Sequence, residues 1–261
     1  MAEREIFSHP SLARIRRGSS RFSQEGVLYI MPSSSRIPAR AYAYRRDLRH
    51  VVVPEAMIGI EDSAFRNCSN LRTVVLPKTL REIGWDAFYD CCNLREIVIP
   101  EGVERIGASA FGCCRNLKFV TLPKTLRELE NSAFMDCRSL REIVVPEGIT
   151  MLGGFTFSGC ENLETVKLPE TLRRIGWGEF WGCQSLRGVS IPKGVTEIGR
   201  WALRDCRSLR EIVIPEGVTK IKEDAFKGCS SLRRVSLPAS WRGRADELSR
   251  AGIPESIRVY R

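Results

Sequence analysis

Residues 94–116 read LREIVIPEGVERIGASAFGCCRN, and aligning the rest of the chain to this stretch decides the fold. LREIVIP is a short β-branched run closed by Pro100, with Leu94, Ile97 and Ile99 placed to point inward from a strand. The chain then turns through Glu101 and Gly102 and returns apolar residues at Val103 and Ile106. Gly107 follows, read as a corner residue free to take a positive φ. Ser109, Ala110 and Phe111 open a segment too short for an ordinary helix. A single helical turn is expected there, with its Ala, Phe and Cys facing inward.

The stretch is one unit of a ruler. Pro54, Pro77, Pro100, Pro123, Pro146, Pro169, Pro192, Pro215 and Pro238 recur with a constant period of about 23 residues. Leu48 through Leu232 and Phe65 through Phe226 keep the same spacing, with Leu203 in one Phe position. Eight of the ten cysteines, Cys68, Cys91, Cys114, Cys137, Cys160, Cys183, Cys206 and Cys229, form another column. Stacked coils bring equivalent positions together, so these thiols read as small core-filling groups rather than reactive ones. The expected fold is therefore a repeat solenoid of short parallel strands and tight helical or 3-10 turns.

The order L-x-x-[IV]-x-[IV]-P, then [VL]-x-x-[IL]-G, then A-F-x-x-C-x-x-L resembles the BspA-type leucine-rich repeat. The likeness covers about nine repeats over 26–238, the first degenerate, with Arg45 where Cys would stand. Residues 1–25 then form a basic N-terminal arm and 239–261 a C-terminal cap, with a short helix over 245–251 and a last irregular strand over 257–260. Glu130 and Lys222 occupy the Gly position and predict altered corners. Arrays of this type are known as surface proteins of bacteria and protists that attach to other proteins, so the resemblance implies a protein-binding module.

Charge is uneven: residues 1–50 hold ten Arg against four acids, and the whole chain is +10. A basic arm of this kind suits an acidic protein surface or a nucleic-acid backbone. With no apolar run of membrane-spanning length and no signal-type apolar stretch at the start, an intracellular, cytoplasmic protein is expected; export without a cleavable signal, as an adhesin or effector, is the alternative. A thiol column also suits a reducing compartment. The two histidines, His9 and His50, share no context, and no phosphate loop or paired-acid set breaks the repeat, so no enzyme and no cofactor is expected. Cys92 and Cys113 flank the column in adjacent coils but lack a zinc-knuckle spacing, and no metal is assigned to them.

Function then belongs to outward columns. One stripe holds Arg49, Arg72, Arg95, Lys118, Arg141, Glu164, Arg187, Arg210 and Arg233. It is either a recognition stripe for carboxylates or phosphates, or a lattice paired with Glu96, Glu142 and Glu211. A second column includes Phe119, and a third, Val52, Val75, Val98 and Val144, is apolar over its first half. The first functional reading is a scaffold, monomeric or a subunit of an assembly, that binds a protein through this face. The second is a nucleic-acid-associated or ribonucleoprotein scaffold using the arm and the stripe. Trp85, Trp177, Trp181, Trp201 and Trp241 are read as corner packers that become hot spots where exposed.

Overall fold

The structure is a computed structural model that describes residues 21–22, 26–31 and 34–261; the expected arm therefore lies almost wholly outside the described residues. Most coils carry a three-residue strand, a two-residue strand and a tight turn. The first strand row runs Val27–Tyr29, His50–Val52, Thr73–Val75, Glu96–Val98, Phe119–Thr121, Glu142–Val144, Thr165–Lys167, Glu211–Val213 and Arg234–Leu237. Paired strands are parallel, and partners are equivalent positions of successive coils, as in Glu96 with Phe119 and Ile97 with Val120. The repeat length is thus the sheet register itself. Residues 188–190 make no strand, where Gly188 replaces the usual side chain.

The second row runs from Arg36–Ile37 to Glu128–Leu129 as five hydrogen-bonded strands and resumes at Arg174–Ile175. It lapses at 151–152, the positions equivalent to Glu128–Leu129.

The turns are not single helical turns. Their i to i−3 bonds, such as Cys114 N–H to Phe111 O at 3.3 Å, are interrupted by left-handed residues, Ser109 at φ 53° and Cys113 at φ 59°. That alternation frees N–H groups to point along the solenoid: those of Ser109, Phe111 and Cys113 bond the carbonyls of Asn131, Ala133 and Met135 at 2.9, 2.8 and 2.7 Å. A third ladder replaces the helix. Gly107, read as a positive-φ corner, is not among the left-handed glycines; it is needed because a Cβ would stand 2.7 Å from the backbone of Gly84 and Trp85.

The core follows the columns. Tyr42, Phe65, Phe88, Phe111, Phe134, Phe157 and Phe180 stack with centroids 5.2–5.9 Å apart and planes within 11° of parallel. Each column thiol donates to the carbonyl of the ring-column residue one coil back, as Cys114 Sγ does to Phe88 O at 3.2 Å. Cys229 does the same to Leu203 O at 3.0 Å but is only half-buried, so seven thiols rather than eight are sealed.

The ends are closed by unlike devices. Val27–Tyr29 pairs in register with His50–Val52 and carries Arg21–Phe22 antiparallel on its outer side. At the other end the helix α1 (Ala245–Arg250) places the carbonyls of Arg250 and Ala251 2.8 Å from the N–H groups of Asp224 and Phe226, ending the turn ladder. Trp241 is fully buried and bonds Val218 O through Nε1 at 3.0 Å, and Arg258–Tyr260 extends the strand row beside Arg234–Leu237. Both Glu130 and Lys222 keep the corner bond, to Ile106 O and Ile198 O at 3.0 and 2.9 Å, so the corners expected to change there do not.

Candidate binding face

The first strand row alternates exposed, buried, exposed in Glu96–Val98, Glu142–Val144, Thr165–Lys167 and Glu211–Val213, because successive strand side chains leave opposite faces. The stripe just ahead of these strands also faces outward: Arg49, Arg72, Arg95, Lys118, Arg141, Arg187, Arg210 and Arg233 are all exposed. Among the described residues only Arg187 of these eight is ion-paired, with Glu164 at 3.3 Å. Pairing with Glu96, Glu142 and Glu211, one of the two readings from sequence, is not what the side chains do.

The charge lattice lies on the second strand row instead. Arg36 contacts Glu61 and Glu82, and Arg105 bridges Glu82 at 2.9 Å and Glu130 at 3.2 Å. Glu82 and Arg105 are partners on adjacent strands of that row, and Arg36 reaches Glu82 across Gly59, whose missing side chain leaves room for the guanidinium. On the first row the acids stand one position along from the cations, on the next column, and the cations remain open to solvent.

The apolar column is not one continuous patch. Val52 and Val75 are half-buried, whereas Val98, Val144 and Val213 are 64%, 59% and 55% exposed, and Phe119 is 55% exposed beside them. His50 turns its Nδ1 to Thr73 Oγ1 at 2.7 Å, an ordinary cross-strand contact. Neighbouring coils also do not all pair. The N–H groups of Val53, Ile99, Val145 and Ile214 bond the next coil at 2.8–3.0 Å, while Leu76, Leu122, Leu168 and Ile191 lack the corresponding bond among the described residues.

The sequence explains the difference, although the common period hides it. Bonded donors begin P-E-[GA] coils; open ones begin P-[KE]-T-L coils or the single P-K-G coil. In the first three bonded pairs a Thr clamps the corner, as Thr171 Oγ1 does to Glu147 O and Ile149 O at 2.6 and 2.7 Å, and Glu147 accepts the Glu170 N–H at 2.9 Å. After each T-L an arginine, Arg81, Arg127 or Arg173, folds onto its own corner carbonyls and fills the space where Gly102, Gly148 or Gly194 would carry a Cβ. The pair is the tighter unit, and the guanidinium sits at its boundary.

Two open junctions form recesses. One, of about 530 Å³, lies between the 119–121 and 142–144 coils, floored by Val120 and Ile143 and rimmed by Lys124, Lys167, Glu142 and Glu147. The other, of about 670 Å³, lies between the 188–190 coil and Glu211–Val213, floored by Val189 and Ile212 and rimmed by Arg187, Lys193 and Arg261 together with Glu211 and Glu216.

Elsewhere the candidate groups divide. Trp177, Trp181, Trp201 and Phe155 form one aromatic cluster on the turn side, with centroids 5.4–6.1 Å apart, while Trp85 stands apart from it and 53% exposed and Trp241 belongs to the core. Cys92 donates to Asp90 at 2.9 Å and Cys113 to the Tyr89 hydroxyl at 3.3 Å; Cys113 is buried and Cys92 half-buried. Among the described residues no three His, Cys, Asp or Glu side chains converge to hold a metal ion, and no helix is long and apolar enough to cross a membrane. Sequence reading missed Glu179, which replaces alanine in the column Ala64, Ala87, Ala110, Ala133, Thr156, Glu179, Ala202, Ala225. It is fully buried, no well-formed hydrogen bond reaches its carboxyl oxygens, and burial pushes its pKa up to about 8 against the opposing pull of the nearby Gly176 backbone N–H and of Arg174.

The profile of the BspA type leucine rich repeat region matches in six copies, over residues 35–164 and 128–243. No curated protein matches the chain. Among solved structures it is similar to a leucine rich cell surface protein of Faecalibacterium prausnitzii, at 23% identity over 94% of this chain and 86% of that one, with a TM-score of 0.44. It is also similar to the Treponema pallidum leucine rich repeat protein, at 25% identity over 79% and 76% of the two chains, TM-score 0.47. A leucine-rich repeat protein of Bacteroides ovatus shares 21% identity over 95% and 99%, TM-score 0.37.

Proposed function

Because the chain belongs to the BspA-type leucine-rich repeat family, we propose that it is a non-catalytic interaction module that binds an acidic protein partner on its first strand row. The observation that carries this reading is the stripe. Seven of its eight cations, all but Arg187, make no ion pair among the described residues, although arginines of the second row bridge acids on neighbouring coils. Guanidinium forks left open beside exposed Val98, Phe119 and Val144 offer carboxylate recognition and apolar contact on one surface. An intracellular, reducing setting is part of the reading, since it keeps ten thiols free.

The test is capture from lysate of the source cells with the intact chain and with an Arg95→Glu, Arg141→Glu, Arg210→Glu variant, each at low and high salt. A discrete protein held by the intact chain and lost by the variant is expected. Nucleic acid recovered instead, with a steep log-linear fall in salt, would replace this reading with a ribonucleoprotein role for the stripe and the 1–25 arm.

A further inference from the structure

We propose that Glu179 makes one corner of the solenoid a proton-controlled joint. When neutral, its carboxyl closes a gap in the ladder between the 140–162 and 163–185 coils; when ionised, it admits water and the corner opens. Several features coincide at that gap. The second strand row stops at Glu128–Leu129 and resumes at Arg174–Ile175. The corners on either side are tied by backbone bonds, Gly153 N–H to Leu129 O at 3.0 Å and Gly199 N–H to Ile175 O at 2.8 Å. Among the described residues, Gly176 N–H makes no such bond to Leu152 O, and no other donor reaches that carbonyl. The ring stack loosens at the same level: Phe157 stands 5.9 and 5.8 Å from Phe134 and Phe180, against 5.2–5.3 Å between the earlier rings.

The residue in the alanine column accounts for the gap. Ala110 and Ala202 N–H bond the corner carbonyls of Gly107 and Gly199 at 3.2 and 3.3 Å, whereas among the described residues Glu179 N–H has no matching bond to Gly176 O. Its side chain folds back to the corner, with Oε1 2.9 Å from the point where a Gly176 Cβ would stand and Leu152 O 3.7 Å from that point. The carboxyl thus takes the room that Gly176 leaves, and the Gly176 N–H lies beside it. A neutral carboxyl has an O–H to donate, and Leu152 O is the acceptor left without a rung; a carboxylate has no such donor and is costly to keep dry. Arg174, on the same coil, favours the charge, and its register partner on the next coil is Glu197. Arg200 of that next coil is paired with Glu223 at 3.0 Å, and residues 151–156 of the preceding coil hold no ionisable group. Burial outweighs Arg174, so the closed corner holds the proton. The open corner releases it, so opening becomes easier from about pH 4.5 up to about pH 8 and no further.

The test is hydrogen exchange of the full chain, read amide by amide by NMR from about pH 5.5 to about pH 9 and corrected for intrinsic exchange. The Arg173 N–H, bonded to Thr150 O at 3.1 Å beside the gap, is the reporter; the Arg127 N–H, bonded to Glu104 O at 2.8 Å, is its equivalent in an unbroken stretch. Protection of Arg173 is expected to fall about tenfold per pH unit up to about 8 and then level off, while that of Arg127 stays flat. Glu179→Gln keeps the shape and a donor but cannot ionise, and is expected to hold Arg173 at its low-pH protection throughout. Glu179→Ala, which restores the column's alanine, is expected to give an equally flat profile and serves as the control if the glutamine variant fails to fold. A flat Arg173 profile in the unaltered chain, or the same fall in either variant, would overturn the proposal. Parallel falls at Arg173 and Arg127 would overturn it too, because the proton would then act on unfolding of the whole molecule and not on this corner.

Discussion

Glu179 costs stability that the column around it does not require. In the folded chain its pKa is about 8 against an ordinary 4.5, and burial is the dominant cause. A raised acid pKa means the fold holds the proton more tightly than the unfolded chain, so its contribution is whole below about pH 4.5 and is lost as pH rises through about 8. Glu179→Ala, which restores the column's alanine, should stabilise the protein by roughly 2–4 kcal/mol at pH 8 and little at pH 4. Urea melts of both proteins across that range measure it, and an equal gain at both pH values would show that the carboxyl is not sealed. The thiols give a second residue-scale expectation. Burial pushes Cys68 and Cys229 up to about 12 and the deeper column members further, while half-buried Cys92 reaches about 11. A thiol reagent at pH 8 should modify Cys92 first, and the seven sealed column thiols only as fast as the protein unfolds, as mapped by peptide mass spectrometry.

At the scale of the element, glycines serve two distinct needs. Gly182 lies in a turn at φ 75° with its nearest neighbours 3.8 Å from a would-be Cβ, so only backbone conformation excludes a side chain. Gly107 has an ordinary φ but would press a Cβ to 2.7 Å from the preceding corner's backbone. Gly182→Ala should cost about 1–2 kcal/mol. Gly107→Ala should cost more, because a rigid strand corner must move, and should also perturb Trp85, whose backbone it meets. Thermal melts with Trp emission separate the two. Much of this was legible in the sequence: the columns give strand, corner and turn, and the degenerate first repeat forms a coil whose Tyr42 joins the ring stack. The left-handed turns were not, because Ser, Asp, Asn, Cys and Gly share those positions with Phe155 and Trp201, and no one residue type marks them. The thiol bonds were hidden for a different reason, since the accepting carbonyls belong to the backbone and leave no trace in residue identity. Exposure of the stripe could be read from the repeat, whereas its freedom from ion pairs depended on whether acids fall in the same column or the next.

For the whole molecule, the two sides of the solenoid differ in continuity. The turn ladder runs coil to coil from the Tyr42 N–H, bonded to Ala64 O at 2.8 Å, to the Phe226 N–H, bonded to Ala251 O. The strand face is divided at Leu76, Leu122, Leu168 and Ile191. Such a body bends most easily by opening its strand face about the turn side, because the divided junctions have fewer ladder bonds to give up there. A partner lying across several coils would hold those junctions at one spacing, so rigidity of the face would become a property of the complex. Hydrogen exchange measures the difference directly, since local opening sets the protection of each amide. The amides of Ile99 and Val145, bonded at 3.0 and 2.9 Å, should exchange slowly, while Leu122 and Leu168, equivalent in position and without that bond, should exchange faster. Amides of the turn ladder such as Phe111 and Phe134, bonded at 2.8 and 3.0 Å, should be uniformly slow through the middle of the array. Equal protection of Leu122 and Ile99 would mean that the junctions are closed in solution, and the recesses along with them; fast exchange at Leu122 beside slow exchange at Ile99 would show the strand face open where its ladder is divided.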